Sequence, residues 1–335
     1  MNKEIEKEIL RLKEKGLTRI CVESEITKIA ELTFEINKLK KEKKAVIAAH
    51  VYQRPEVIIG VSDFHGDSFK LAKDCVNVDA EIIIFCGVSF MAQTAKILNP
   101  KKRVFIPDTG AGCSLSESIT VDDVKRLKKE YPEVPVVTYI NTNADVKAES
   151  DVVVTSSNAK KILEKLYEKH QRIIFIPDKF MGANLAKELG KEAGRDLILW
   201  NGSCIVHEKF NPDIIKEYRK KYPNMMVMAH SECPSDIIKH VDFMGSTSQM
   251  IEQLRLTDAQ AYMLITECGL GELATTMFPE KKFIAMCRLC PYMKMITLEN
   301  ILFTLKNLPK DREIFVDEKI AEKAKASLYK MFEFS

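Results

Sequence analysis

Eleven short apolar runs alternate with helical segments along this chain, at 45–49, 82–85, 104–106, 134–140, 152–154, 173–176, 197–200, 225–229, 241–244, 262–265 and 283–285. Runs that are apolar throughout, rather than at every second residue, mark strands covered on both faces. Helices between them mark parallel crossovers. The fold class this dictates is α/β with parallel sheets. Eleven strands are too many for one mononucleotide-type sheet, and the runs divide as three, four and four. Three cysteines follow the same division: Cys113, Cys204 and Cys290 lie 91 and 86 residues apart. Three small α/β units related by pseudo-threefold symmetry, one thiol in each, account for both patterns. A single (β/α)8 barrel is the structural rival. The expected boundaries are N-terminal helices over 1–43, units over 44–115, 116–205 and 206–300, and a C-terminal helical segment over 301–335.

The chain's 335 residues, 46% of them hydrophobic, are enough for a large core. Its 51 basic and 48 acidic residues nearly cancel, which gives no support to a nucleic-acid or polyanion partner. No apolar run reaches the length of a membrane span. The polar start Met1-Asn2-Lys3-Glu4 does not read as a signal peptide. Nine cysteines, an odd number, then suggest a reduced, cytoplasmic setting in which thiols are packed, metal-bound or reactive. Residues 2–16 and 24–43 show the helical spacing of Ile5, Ile9 and Leu12, then Ile26, Ile29, Leu32, Ile36 and Leu39, with Lys and Glu on faces expected to be solvated.

Ligands of parallel α/β folds bind at the carboxyl ends of strands. Here those ends carry His50 and Tyr52, Tyr139 and Asn141, and His230 and Glu232, with His207 just beyond another strand. Histidines in such places suit an anionic pocket or acid–base work near neutral pH. His65, His170 and His240 receive no role. Hydroxyl turns at Gly66-Asp67-Ser68, Thr155-Ser156-Ser157-Asn158 and Gly245-Ser246-Thr247-Ser248 each precede a helix. They read either as anion sites or as ordinary helix caps. Three thiolates are one ligand short of a closed metal site, which leaves a position for substrate. Cys287-Arg288-Leu289-Cys290-Pro291 offers two candidate sulfurs, and spacing does not choose between them. Only one C-x-x-C pair is present, so a zinc ribbon is disfavoured. Cys21, Cys75, Cys86, Cys233 and Cys268 read as buried structural thiols.

Taken together, Ala49-His50-Val51-Tyr52-Gln53, Asp67-Ser68, Phe85-Cys86-Gly87, Gly112-Cys113-Ser114, Tyr139-x-Asn141-Thr142, Ser156-Ser157-Asn158, Cys204-x-Val206-His207-Glu208, His230-x-Glu232-Cys233-Pro234, Gly245-Ser246-Thr247-Ser248 and Cys290-x-x-Met293-Lys294 resemble the quinolinate synthase family over roughly residues 45–300. The resemblance implies a [4Fe–4S] cluster held by Cys113, Cys204 and Cys290, its fourth iron open as a Lewis acid. It implies condensation of iminoaspartate with dihydroxyacetone phosphate to quinolinate, with loss of phosphate and two waters, in NAD biosynthesis. It makes Glu232 with His230 the acid–base pair and gives Tyr52 and Tyr139 a lesser part in proton movement. His50, Ser68, Tyr139, Asn141, Ser156, His207, His230, Glu232 and Thr247 become the substrate-binding set. Because iminoaspartate is short-lived, it also implies an aspartate oxidase or dehydrogenase as a transient partner.

The chain departs from the family pattern at Ser89, where His is usual, at Gly110, where an acid is usual, and at Cys268, where an aliphatic residue is common. Cys287 matches an extra cysteine of some members and is expected not to bind iron, though it could pair with Cys290 when no cluster is present. The alternatives are another three-cysteine [4Fe–4S] dehydratase or reductase, whose motifs are not visible, and a cluster-based sensor or structural zinc protein without catalysis.

Overall fold

In the computed structural model, which describes residues 3–335 and only the backbone of Cys287, the apolar runs form parallel sheets in three sets. The first comprises β1 (Ala45–His50), β2 (Phe64–Gly66), β3 (Ile82–Cys86) and β4 (Arg103–Phe105), in the order β2-β1-β3-β4. The second comprises β5 (Val136–Tyr139), β6 (Val152–Val154), β7 (Ile173–Ile176) and β8 (Leu197–Leu199), in the order β6-β5-β7-β8. The third is built on β9 (Met225–His230), β10 (Phe243–Gly245) and β11 (Ala261–Glu267), in the order β10-β9-β11. Second–first–third is thus the order in all three, and every pairing among these strands is parallel. A shared strand permutation is what tripling of one α/β unit predicts. The strand burial explains the unbroken apolar runs: all residues of β3, β5, β6, β7 and β11 are buried.

The expected count of three strands in the first sheet is corrected to four. The additional strand, β2, contains His65. It is three residues long and lies at the sheet edge, with His65 exposed, so it offers no apolar run to read.

Contacts group the chain into two compact units, residues 1–111 with 267–315, and residues 112–266 with 316–335. In the first, the helices Lys3–Glu14 and Ile26–Glu42 match the amphipathic reading, but their polar side chains are not all solvated. Glu8, Thr33 and Lys40 are buried. Arg11 and Thr33 both donate to Oε1 of Glu8 at 2.6 Å, and Lys40 donates to the Val61 carbonyl at 2.6 Å and to Asp63 at 2.8 Å. Asp63 in turn accepts the Ile47 N–H at 2.7 Å, tying the helix to β1. In the second unit, Val124, Val136, Val146, Ile174 and Ile176 are among the residues packing one core cluster, and the C-terminal helix Glu318–Phe334 buries Leu328 and Met331. Among the described residues no helix is long and apolar enough to cross a membrane.

Candidate active site

The carboxyl ends of the first strands place the expected residues at matching positions. β9 ends at His230 and β1 at His50, and each histidine Nδ1 accepts the backbone N–H two residues on, from Glu232 at 3.3 Å and from Tyr52 at 3.2 Å. That bond fixes the tautomer, so the proton of the neutral ring sits on Nε2. β5 ends at Tyr139, with Asn141 two residues beyond.

In the second unit these ends converge. The Tyr139 hydroxyl donates to Oε1 of Glu232 at 2.6 Å. Nδ1 of His207 lies 2.9 Å from the other carboxylate oxygen. It is not aligned as a hydrogen bond, so we read this contact as Coulombic. Nε2 of His207 meets the Thr266 hydroxyl at 3.1 Å, and the His207 and His230 rings stack at 4.9 Å. Cys204, His207 and Glu232 each bring a donor atom within 4.8 Å of one another, a set able to hold a cation.

The electrostatics follow from burial opposed by neighbours. Burial alone would raise the Glu232 carboxyl, but His207, His230 and the Tyr139 hydroxyl outweigh it and hold it below the ordinary value. Burial pushes His230 down to about 4 despite the attraction of Glu232. The site therefore holds an ionised carboxylate beside a neutral imidazole, the pairing a general base needs. Burial pushes the Cys204 and Cys290 thiols up, so binding a metal there releases protons.

A pH dependence follows. Unfolded, His230 takes up a proton below about 6.5; folded, it resists until about 4. In that interval the unfolded state binds more protons, so stability falls as pH falls, by about 3 kcal/mol in total. Below the ordinary carboxyl value of 4.5, loss of the ionised Glu232 adds to the same trend. Urea midpoints measured from pH 7 to 4 should drop steeply in the wild type, and His230→Asn should remove the upper part of the slope.

Cys113 reaches Cys204 through its neighbour. The Ser114 hydroxyl accepts the Ile205 N–H at 3.3 Å and lies 3.5 Å from the Ser203 carbonyl. The Cys204 loop is also pinned from behind. Gly202 donates to the Pro177 carbonyl at 3.1 Å, and its own carbonyl accepts the Lys179 N–H at 3.0 Å. A Cβ on Gly202 would stand 2.5 Å from that Pro177 oxygen, so only glycine permits the approach. Ser89 uses the same device in the first unit, donating to the carbonyl of Ala111 at 2.8 Å, again two residues before a ligand candidate.

Asn141 Oδ1 and Thr247 Oγ1 are buried with no hydrogen-bond partner among the described residues. This is the state of acceptors and hydroxyls shaped for a ligand. Ser246, not Thr247, caps the following helix, in a capping box with Gln249. Asp67, not Ser68, caps the helix Ser68–Val76. The capping role is therefore filled by a neighbour, which leaves Thr247 and Ser68 at the first helical position. Ser156 is half-buried in the turn 155–158. In the first unit the His50 and Tyr52 rings meet edge to face at 4.7 Å.

Two acids were not singled out from the sequence. Asp178 caps the helix after β7 through Oδ1 and the Met181 N–H, while its buried Oδ2 is unpartnered. Burial and the charge of Glu232 push its carboxyl well up. Glu267 caps the helix after β11. An acid before a helix reads as an ordinary cap, so no sequence signal separated them. Among the remaining cysteines, Cys75, Cys86 and Cys233 are buried free thiols as expected, while Cys21 is only half-buried. Cys268 is corrected from a free thiol to a disulfide-bonded one. Cys290 is free. The side chain of Cys287, and with it the Cys287–Cys290 bridge considered above, lies outside the described residues.

Parallel α/β units that gather a buried ionised carboxylate, a neutral His230 and a thiol at strand carboxyl ends make a candidate active site with a possible metal centre. Residues 34–333 match the family described as Quinolinate synthetase A protein. The chain is 46% identical over 296 residues to a quinolinate synthase of Sinorhizobium fredii, covering 88% of this chain and 80% of that one. It is 44% identical over 316 residues to that of Xylella fastidiosa, covering 93% and 90%. It is 42% identical over 306 residues to that of Caulobacter vibrioides, covering 91% and 82%. The chain belongs to the quinolinate synthetase A family.

Proposed function

We propose that this enzyme condenses iminoaspartate with dihydroxyacetone phosphate to form quinolinate, releasing phosphate and two waters. The observation that carries the reading is the buried Tyr139–Glu232–His207 arrangement beside Cys204, in a chain whose relatives are quinolinate synthases. Making the pyridine ring requires removal of carbon-bound protons and of hydroxyl groups. Glu232, ionised and gripped on both oxygens, takes the proton, and His230 and Tyr139 set its basicity. The hydrogen bond from Tyr139 also gives the proton a path away from the carboxylate. His50, Ser68, Asn141, Ser156, His207 and Thr247 hold the carboxylates and phosphate, and Tyr52 serves beside His50. The unpartnered Asn141 and Thr247 atoms support this assignment.

Cys113, Cys204 and Cys290 fit a [4Fe–4S] cluster. None of the three is disulfide-bonded and all lie in loops, and the Cys113 and Cys204 loops are joined through Ser114. With three protein ligands such a cluster supplies an open iron that acts as a Lewis acid toward a leaving hydroxyl. The three α/β units, a cytoplasmic setting and delivery of the imine by a nearby aspartate oxidase or dehydrogenase belong to the same reading.

Anaerobic reconstitution with iron and sulfide, followed by metal analysis and a quinolinate assay with both substrates, tests it. About four irons per chain together with product formation is expected. A single tightly bound zinc, held by Cys204, His207 and Glu232, with no product would overturn it.

A further inference from the structure

We infer that Glu267 and Lys294 form a positioning clamp that sets the Cys290 loop against Tyr52. The inference rests on the proposal that Cys290 is a cluster ligand. Glu267 is the last residue of β11 and is almost fully buried. Its Oε2 caps the next helix by accepting the Gly269 N–H at 2.6 Å. Its Oε1 reaches across 23 residues of sequence and accepts the backbone N–H of Cys290 at 3.1 Å. The Lys294 ammonium lies 3.2 Å from the same carboxylate and is itself mostly buried.

Lys294 closes the other end of the loop. Its N–H bonds the Cys290 carbonyl at 3.2 Å, so residues 290–294 form one turn. Its ammonium donates to the Tyr52 carbonyl at 2.7 Å. The next two residues after Tyr52 grip the turn in return: Gln53 donates to the Met293 carbonyl at 2.9 Å and Arg54 to the Lys294 carbonyl at 2.8 Å. Gly269 packs so closely that a Cβ there would stand 2.8 Å from the Tyr52 backbone. One carboxylate thus holds the N–H of the ligand cysteine, the start of a helix and the cation that holds Tyr52.

A buried ion pair is a poor source of stability, because desolvation offsets most of the attraction. Its value lies in geometry: three hydrogen-bonded groups converge on Glu267 and can be satisfied together in only one arrangement. Lys179 and Ser89 dock the other two cysteine loops with backbone groups. At the Cys290 loop the clamp is a carboxylate that holds the N–H of the cysteine itself, and outer-shell partners of this kind typically contribute 10–100-fold to metal affinity or activity.

The test uses Glu267→Gln and Lys294→Met in the full chain. In metal-free protein, alkylation by iodoacetamide, read by peptide mass analysis, should quicken about tenfold at Cys290 and stay unchanged at Cys113 and Cys204. In loaded protein, iron loss to a chelator should quicken by about tenfold. The double variant should be no worse than either single one, because both break the same clamp. Lys294→Arg, which keeps the charge, should restore most of the slow iron loss. Cys290 alkylation and iron loss within twofold of wild type in both single variants would overturn the clamp, as would fully additive effects. If Glu267→Gln does not fold, Lys294→Met carries the same measurements with the helix cap intact. Full iron retention by Cys290→Ser would refute the ligand reading instead, and the alkylation rates would still decide the clamp.

Discussion

Glu232→Gln should lower turnover by about 10²–10⁴-fold, the range expected when a positioned general base is removed. The amide oxygen can still accept the Tyr139 hydroxyl bond at the position now spanned by 2.6 Å, so shape and packing are kept. What is lost is the negative charge that burial opposes and the two histidines sustain. Iron content should match the wild type, and KM should change far less than kcat, because an interaction made mainly in the transition state has gone. An intact cluster with near-wild-type turnover would remove Glu232 from the chemistry. Retained turnover with KM raised many-fold would make it a substrate-holding group instead.

Cys204→Ser should abolish both the cluster and activity, taking iron from about four per chain to near none. Cys113→Ser and Cys290→Ser should do the same. Cys75→Ser should leave iron unchanged, since Cys75 is wholly buried within the helix Ser68–Val76. Cys287→Ser should also leave iron unchanged; loss of iron there would show that the wrong sulfur of the pair was chosen. Metal analysis with the visible spectrum of anaerobically prepared protein reads all of these. Full iron in Cys204→Ser would end the three-cysteine assignment.

The parts that could be read from residue order are those written in local pattern. β3 and β7 were legible because both of their faces are covered and every residue in them is apolar, and β5 because Thr138 alone interrupts its apolar run. β2 was not, because an edge strand of three residues with an exposed histidine needs no apolar pattern. His50, His230 and Tyr139 were legible as site candidates because each closes an apolar run, at the place where parallel folds gather their ligands. Glu8 and Lys40 were misjudged, since a charged residue on an amphipathic helix looks the same whether it meets water or a partner such as Arg11 or Asp63. Asp178 and Glu267 stayed hidden because their capping bonds to Met181 and Gly269 are local and ordinary. The other oxygen of Glu267 reaches Cys290, 23 residues on, a relation that spacing does not encode.

By itself the sequence determined that three α/β units repeat and that histidines, tyrosines and a glutamate stand at their strand ends. Strand burial and strand termination are short-range constraints, and each leaves its mark within a few residues. Only the tertiary structure decided that Tyr139, His207 and Glu232 share one hydrogen-bonded and charged cluster, that Cys268 is bridged while Cys290 is free, and that Glu267 holds the Cys290 loop. The Glu267–Cys290 and Tyr139–Glu232 bonds join groups 23 and 93 residues apart, made when buried polar atoms find partners in a packed interior.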